Sequence, residues 1–236
     1  MIMWLLPMNL AILLATGGFT HVLAQSDNWE TLNTAGVLAY QEKDFLTAKE
    51  LFERALETLK LGDQTDPHAA TTLNNLAAVH KNLGEIEQAE LRYRNSLAVI
   101  ETIQGLDHPD VAMGLNNLAA FYFSQKAFGK AEPLWKRALQ ISERILGNNH
   151  PHLVQPLVTL GIVSQAQRKF DQAETFYIRA IQITEDALKP DHPGLLPLYV
   201  RYEAMLRQAN RGDEADAMER KIESLRFSNT PQLKQP

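Results

Sequence analysis

Histidines, carboxylates and side-chain amides are the groups of this chain that could do chemistry, because its 236 residues contain no cysteine. That absence removes thiolate nucleophiles, thiolate zinc sites, cysteine-ligated iron–sulfur clusters and disulfides. Five of the histidines, His68, His108, His150, His152 and His192, stand beside or just after prolines. Imidazoles would suggest a metal site if they converged, since zinc needs its ligand nitrogens within about 2.1 Å. The spacing argues otherwise: junctions in a stacked helical fold lie roughly 20 Å apart, at 8–10 Å per helix. Only His150 and His152 are near enough to meet, and no carboxylate close in sequence completes a set. Asp107-His108-Pro109 and its equivalents therefore read as turns that cap the following helix. His80 reads as a packed helix residue, and no metal or cofactor is expected.

The carboxylates point the same way. Glu50, Glu53 and Glu57 recur every three or four positions, as on a solvated helix face. Asp63-Gln64-Thr65-Asp66 is too short for a calcium loop. There is no Gly-x-Ser-x-Gly, no phosphate-cradling Gly-x-x-x-x-Gly-Lys and no His-Glu-x-x-His. Lys and Arg number 23 against 28 Asp and Glu, a net charge of −5, which is the wrong sign for a nucleic-acid surface. The chain is expected not to be an enzyme.

The elements that hold these residues follow from a repeat. Pro67, Pro109, Pro151 and Pro193 are 42 residues apart, and His108, His150 and His192 precede the last three. Leu73-Asn74-Asn75-Leu76-Ala77 returns as Leu115-Asn116-Asn117-Leu118-Ala119, with Leu157 to Gly161 in the same register. Each unit reads as two helices. In the third, Pro109 opens a helix whose apolar residues Val111, Leu115, Leu118, Ala119 and Tyr122 fall at helical spacing. A turn at Ser124 to Ala127 leads to a second helix from Phe128, stopped by Gly147. Pro133 fits that helix only in or near its first turn. Small residues pair across each hairpin: Gly36 with Ala48, Ala77 with Ala89, Ala119 with Ala131, Gly161 with Ala173. They let the two backbones approach closely. No segment alternates at period two, so no sheet is expected.

The pattern Leu-x-x-Leu-Ala/Gly, an alanine twelve residues on and an aromatic four further resembles the tetratricopeptide repeat, over about Glu30 to Arg226. The 42-residue length, the Leu-Asn-Asn-Leu-Ala element and the His-Pro pairs look like the kinesin light chain subtype. The surplus over the usual 34 residues fits about one added turn per helix. The resemblance implies an all-α, right-handed solenoid of about five helical hairpins whose first helices line a groove for extended peptides. It places Asn74, Asn75, Asn116 and Asn117 on or beside that groove. Asn is disfavoured mid-helix by a few tenths of a kcal/mol, and its amide matches a peptide backbone. Tying neighbouring repeats together is the other reading of one Asn in each pair. Lys81, Asn82, Phe123, Thr159, Gln165 and Arg201 complete the expected peptide-binding set. Lys81 and Arg201 are too far apart for a terminal-carboxylate clamp, so an internal or apolar-anchored segment is expected.

The expected repeats span 26–65, 66–107, 108–149, 150–191 and 192–226, within one domain over 25–226. The fifth departs from the pattern, with Glu203 and Glu219 at the small and aromatic positions. Nine of the 16 residues from Arg211 to Arg226 are charged, which suits a terminal cap. Residues 227–236 are expected to be disordered. Residues 1–24 carry no Asp, Glu, Lys or Arg. Val22 and Ala24 resemble the −3 and −1 positions of a signal-peptidase site, so this segment reads as a cleaved leader or an uncleaved anchor. The sequence thus predicts a secreted, periplasmic or membrane-tethered scaffold that binds a protein or peptide and no nucleic acid. A self-assembling homo-oligomer and a cytoplasmic chaperone-docking module are the alternatives.

Overall fold

A computed structural model describes residues 28–59, 66–188 and 192–228. The expected leader at 1–24 lies outside the described residues. Among them ten α-helices follow one another with no strand: α1 (Trp29–Gln41), α2 (Phe45–Thr58), α3 (Pro67–Asn82), α4 (Ile86–Gln104), α5 (Pro109–Ser124), α6 (Phe128–Leu146), α7 (Val154–Ala166), α8 (Phe170–Ala187), α9 (Leu196–Gln208) and α10 (Gly212–Ser228). Single 3₁₀ turns, Pro151–Leu153 and Pro193–Leu195, lead into α7 and α9. The chain divides into two compact units between Asn117 and Leu118, within α5. In the first unit α1 packs on α2, α3 on α4, and α3 on α2. In the second α7 packs on α8, α9 on α10, α7 on α6 and α9 on α8.

The first two helices and the helices at the proline junctions begin where a side chain accepts a free backbone N–H, whereas α4, α6 and α8 start without a side-chain cap. Asn28 and Asp44 cap α1 and α2 by accepting from Glu30 N and Thr47 N at 2.8 and 3.1 Å. At the proline junctions Asp66 accepts from His68 N at 2.8 Å. In the later repeats a histidine ring takes over that role. Nδ1 of His108 and of His150 each accepts a backbone N–H two residues on at 3.2 Å, and Nδ1 of His192 does so at 3.0 Å. One ring nitrogen of each of these histidines thus serves as an N-cap.

All five hairpins turn in one way. Lys43, Gly84, Lys126, Arg168 and Asn210 share one register position and all have positive φ, between 58° and 78°. The next residue returns its N–H to the carbonyl five residues back: Asp44 to Ala39, Glu85 to His80, Ala127 to Tyr122 and Lys169 to Ser164 at 2.9 Å, and Arg211 to Leu206 at 3.0 Å. This is the Schellman closure of a helix C-terminus. A side chain in that conformation costs about 1–2 kcal/mol, which glycine escapes.

The paired small residues are where sequence and packing meet. Ala48, Ala77, Ala89, Ala119, Ala131 and Ala173 are all 0% exposed. A Cβ added at Gly36 would lie 2.7 Å from the Phe52 ring, and one at Gly161 would lie 2.6 Å from the Tyr177 ring. In these two hairpins the aromatic of the second helix thus rests on the backbone of the first. In the fifth hairpin Glu203 and Glu219 replace the small and aromatic residues, and Arg207 bridges them, with Nη2 to Glu219 at 2.7 Å.

Two expectations need correction. Pro133 is the sixth residue of α6, beyond the first turn. It is exposed, and its missing N–H costs the helix the hydrogen bond to the carbonyl four residues back. Of the segment expected to be disordered from 227, Phe227 and Ser228 instead belong to α10. Residues 229–236 lie outside the described residues.

Two substitutions test these features with opposite signs. Gly161→Ala should lower stability by about 1–3 kcal/mol, because the Tyr177 ring cannot retreat from a packed seam. Lys126→Gly should raise it by about 0.5–1 kcal/mol, relieving the left-handed turn. Urea unfolding followed by circular dichroism reads both.

Candidate functional site

In the first unit the asparagines form a ladder across successive first helices. Asn75 on α3 donates from Nδ2 to Asn33 Oδ1 on α1 at 3.3 Å, and Asn117 on α5 donates to Asn74 Oδ1 on α3 at 2.9 Å. The second Asn of one repeat thus reaches the first Asn of the repeat before it. Each bond contributes about 0.5–1.5 kcal/mol. Asn82 donates to the Tyr40 hydroxyl at 2.9 Å and to its own helix at Ala78 O. Asn116 is exposed and Lys81 half-buried.

Two cavities accompany the ladder. One of about 230 Å³ opens between α1 and α3, lined by Val37, Tyr40, Gln41, Asn75 and Ala78 over Phe52. The other, about 270 Å³, lies among α3, α4 and residues 110–117, with Ile100, Ile103 and Met113 as apolar walls and Asn74 and Asn117 at its edge. Asn33 and Tyr40 were not legible as site residues. The signal for Asn33 was available, since it stands 41 residues before Asn74 as Ala48 stands 41 before Ala89.

In the second unit a cavity of about 310 Å³ lies between α7 and α9, lined by Ile162, Gln165, Ala166, Arg201, Ala204 and Gln208 beside Tyr177. It brings Gln165 and Arg201 together. Burial pushes the Tyr177 phenol up to about 12, against the pull of the Arg201 charge, so the phenol stays a donor. It donates to Gln165 Oε1 at 2.9 Å, and Gln165 Nε2 donates to Gln208 Oε1 at 2.9 Å. Two expected residues stand elsewhere. Phe123 packs on Phe128 and edge-on to Trp135, at ring distances of 5.3 and 5.7 Å. Thr159 turns its hydroxyl to Gln155 O on its own helix.

The strongest electrostatics tie repeats together rather than surround a reacting atom. Glu132 on α6 is 7% exposed. It accepts from Lys136 at 2.6 Å and from Lys169 and Gln167 at 2.7 Å. Burial alone would raise its pKa, but these donors bring it down to about 2. Glu174 on α8 takes Arg211 at 2.7 Å in the same register. The first unit makes the same link with its charges exchanged, Lys49 on α2 to Glu85 at 2.9 Å. Glu85 also meets Nδ1 of buried His80, whose Nε2 has no partner. Lys49 and His80 hold the Glu85 carboxyl below its usual range. Among the described residues no three His, Asp or Glu side chains gather to hold a metal, and no helix is long and apolar enough to cross a membrane.

Comparison with known proteins places this geometry. The tetratricopeptide repeat model matches residues 30–102, 68–133 and 110–177. The chain belongs to the tetratricopeptide repeat family, whose fold is generally a non-enzymatic protein-interaction scaffold. No curated protein matches it in sequence. Among solved structures it resembles BtubC from P. vanneervenii, with TM-score 0.70 and 21% identity over 88% of this chain and 83% of that one. It also resembles the nearly identical TPR-like repeats of kinesin light chain type from Podosopora anserina, with TM-score 0.73 and 17% identity over 86% and 96%. YrrB, described as a TPR protein with an unusual peptide-binding site, gives TM-score 0.57 and 14% identity over 91% and 95%. These likenesses define the fold: an all-α solenoid of tetratricopeptide type.

The Glu132 cluster yields a pH prediction. Its folded pKa is depressed, so the unfolded state binds the proton first on acidification. The stability it supplies is complete above about pH 4.5 and fades as pH falls toward 2. Glu132→Gln should therefore destabilise by about 3 kcal/mol at pH 7. The gap to the parent should shrink in urea titrations repeated down to pH 3.

Proposed function

We propose that this protein binds an extended segment of a partner protein along the exposed faces of its first helices. The observation that carries the reading is recurrence: each unit opens a cavity between successive first helices, α1 with α3 and α7 with α9, walled by side-chain amides. Amides offer a donor and an acceptor to a peptide backbone. The ladder and the Gln165–Gln208 bond hold them in place before any ligand arrives, which lowers the ordering cost of binding. Asn74, Asn75, Lys81, Asn82, Asn116 and Asn117 are the proposed contacts of the first unit. Phe123, Thr159, Gln165 and Arg201 are those of the second. The YrrB structure, with its peptide-binding site, supports the choice of ligand class.

We also propose that the protein works outside the cytoplasm, with residues 1–24 as export leader. The support is an uncharged apolar run ending in Val22-Leu23-Ala24. Intact mass of the exported protein should then correspond to a chain starting at Gln25. A mass retaining Met1 to Ala24 would instead mean an anchor.

Photo-crosslinking separates the two faces of the hairpins. A benzophenone side chain at Ala78 or Gln208 should yield partner adducts in native extract. The same probe at Leu91 or Ile178, exposed on the second helices, should yield none. Adducts from the second helices alone would overturn the assignment.

A further inference from the structure

The cavity between α7 and α9 differs from the others in its charge and in the groups it leaves unsatisfied. Three arginines of the fifth hairpin stand near one another in sequence, and two are spent on the protein's own carboxylates. Arg207 meets Glu203, Asp216 and Glu219. Arg211 meets Glu174 and Glu214. Arg201 is exposed, lines the cavity and, among the described residues, has the Tyr177 phenol as its electrostatic neighbour. Its five N–H donors make no hydrogen bond within the described residues.

The amide wall adds to this bias. Tyr177 donates to Gln165 Oε1, and Gln165 donates to Gln208 Oε1. The chain of bonds uses one acceptor on each glutamine and ends on Gln208, whose NH₂ makes no hydrogen bond among the described residues. An uncommitted guanidinium and an uncommitted amide NH₂ therefore face a cavity whose other walls are Ile162, Ala166 and Ala204. A site that offers donors and one positive charge complements a group that only accepts and is negative. The carboxylates nearest in sequence cannot fill that role, because Glu203 is held by Arg207 and Glu174 by Arg211.

We infer that the α7/α9 cavity receives the side-chain carboxylate of an aspartate or glutamate within the partner's extended segment. Val200, exposed beside Arg201, and half-buried Ile162 offer apolar contact to the neighbouring residues of that segment. This inference rests on the peptide-binding reading above and adds a sequence preference to it.

The test uses the full chain and an array of random twelve-residue peptides. Peptides retained by the parent should be enriched in Asp or Glu at one position. Their affinity should fall as salt is raised, as expected of a charge contact at an exposed site. Arg201→Glu should weaken those peptides at least tenfold and shift the enrichment to Lys or Arg. Gln208→Ala should weaken them less and leave the preference unchanged. Retained peptides with no acidic preference, or a preference that survives Arg201→Glu, would overturn the inference while leaving peptide binding intact. An array in which nothing is retained would overturn both. Preference for a free C-terminal carboxylate over an internal Asp or Glu would also overturn it. Arg201 is exposed, so circular dichroism of Arg201→Glu should match the parent.

Discussion

The close approach of two helices over a pair of small side chains is the constraint on which the rest depends. Where Gly36 faces Ala48, or Gly161 faces Ala173, an aromatic from the second helix lies directly on the backbone of the first. That contact sets how far apart the helices sit and which residues of the first helix point away from its partner. The outward positions then fall in one register in each repeat, and the amides occupy them. The fifth hairpin shows what replaces the constraint when it is absent. There Glu203 and Glu219 are drawn together by Arg207, an ionic bridge where the first and fourth hairpins have van der Waals contact.

Neighbouring repeats are held by three devices that differ in character. Buried apolar surface supplies most of the stability, at about 25 cal/mol per Å² removed from water. The asparagine ladder fixes the register of successive first helices in the first unit. The links Lys49–Glu85, Glu132–Lys169 and Glu174–Arg211 do the same from second helix to the next turn. Polar links of this kind add modestly to stability but penalise slippage, because a displaced repeat would leave a buried carboxylate such as Glu132 unpaired. A surface fixed in this way suits binding by preformed complementarity, since the ligand alone must be ordered.

Much of this was legible in the residues, for a physical reason: the repeat displays each constraint several times. Proline spacing marked the hairpins, the Gly and Ala pairs marked the seam, and His-Pro marked the caps. The hairpin turn was not legible in full, because its left-handed residue is Gly only at Gly84 and is Lys, Arg or Asn in the other four hairpins. The inter-repeat ion pairs were hidden because their partners stand 36 or 37 residues apart and the sign of each partner reverses between the units. The asparagines were ambiguous for a subtler reason. Both members of a pair stand near the same helix face, and the second bonds the first of the preceding repeat, so ladder and groove draw on the same side chains.

The account's central claim is that the amides of the first helices are the surface a partner touches. Side-chain amide resonances report that contact directly. With an extended peptide bound to the ¹⁵N-labelled full chain, the NH₂ signals of Asn74, Asn75, Asn117, Gln165 and Gln208 should shift. Those of Gln88, Asn95, Gln140 and Gln182, exposed on the second helices, should stay in place. Shifts confined to the second group would contradict the claim and move the binding surface to the opposite face of the hairpins.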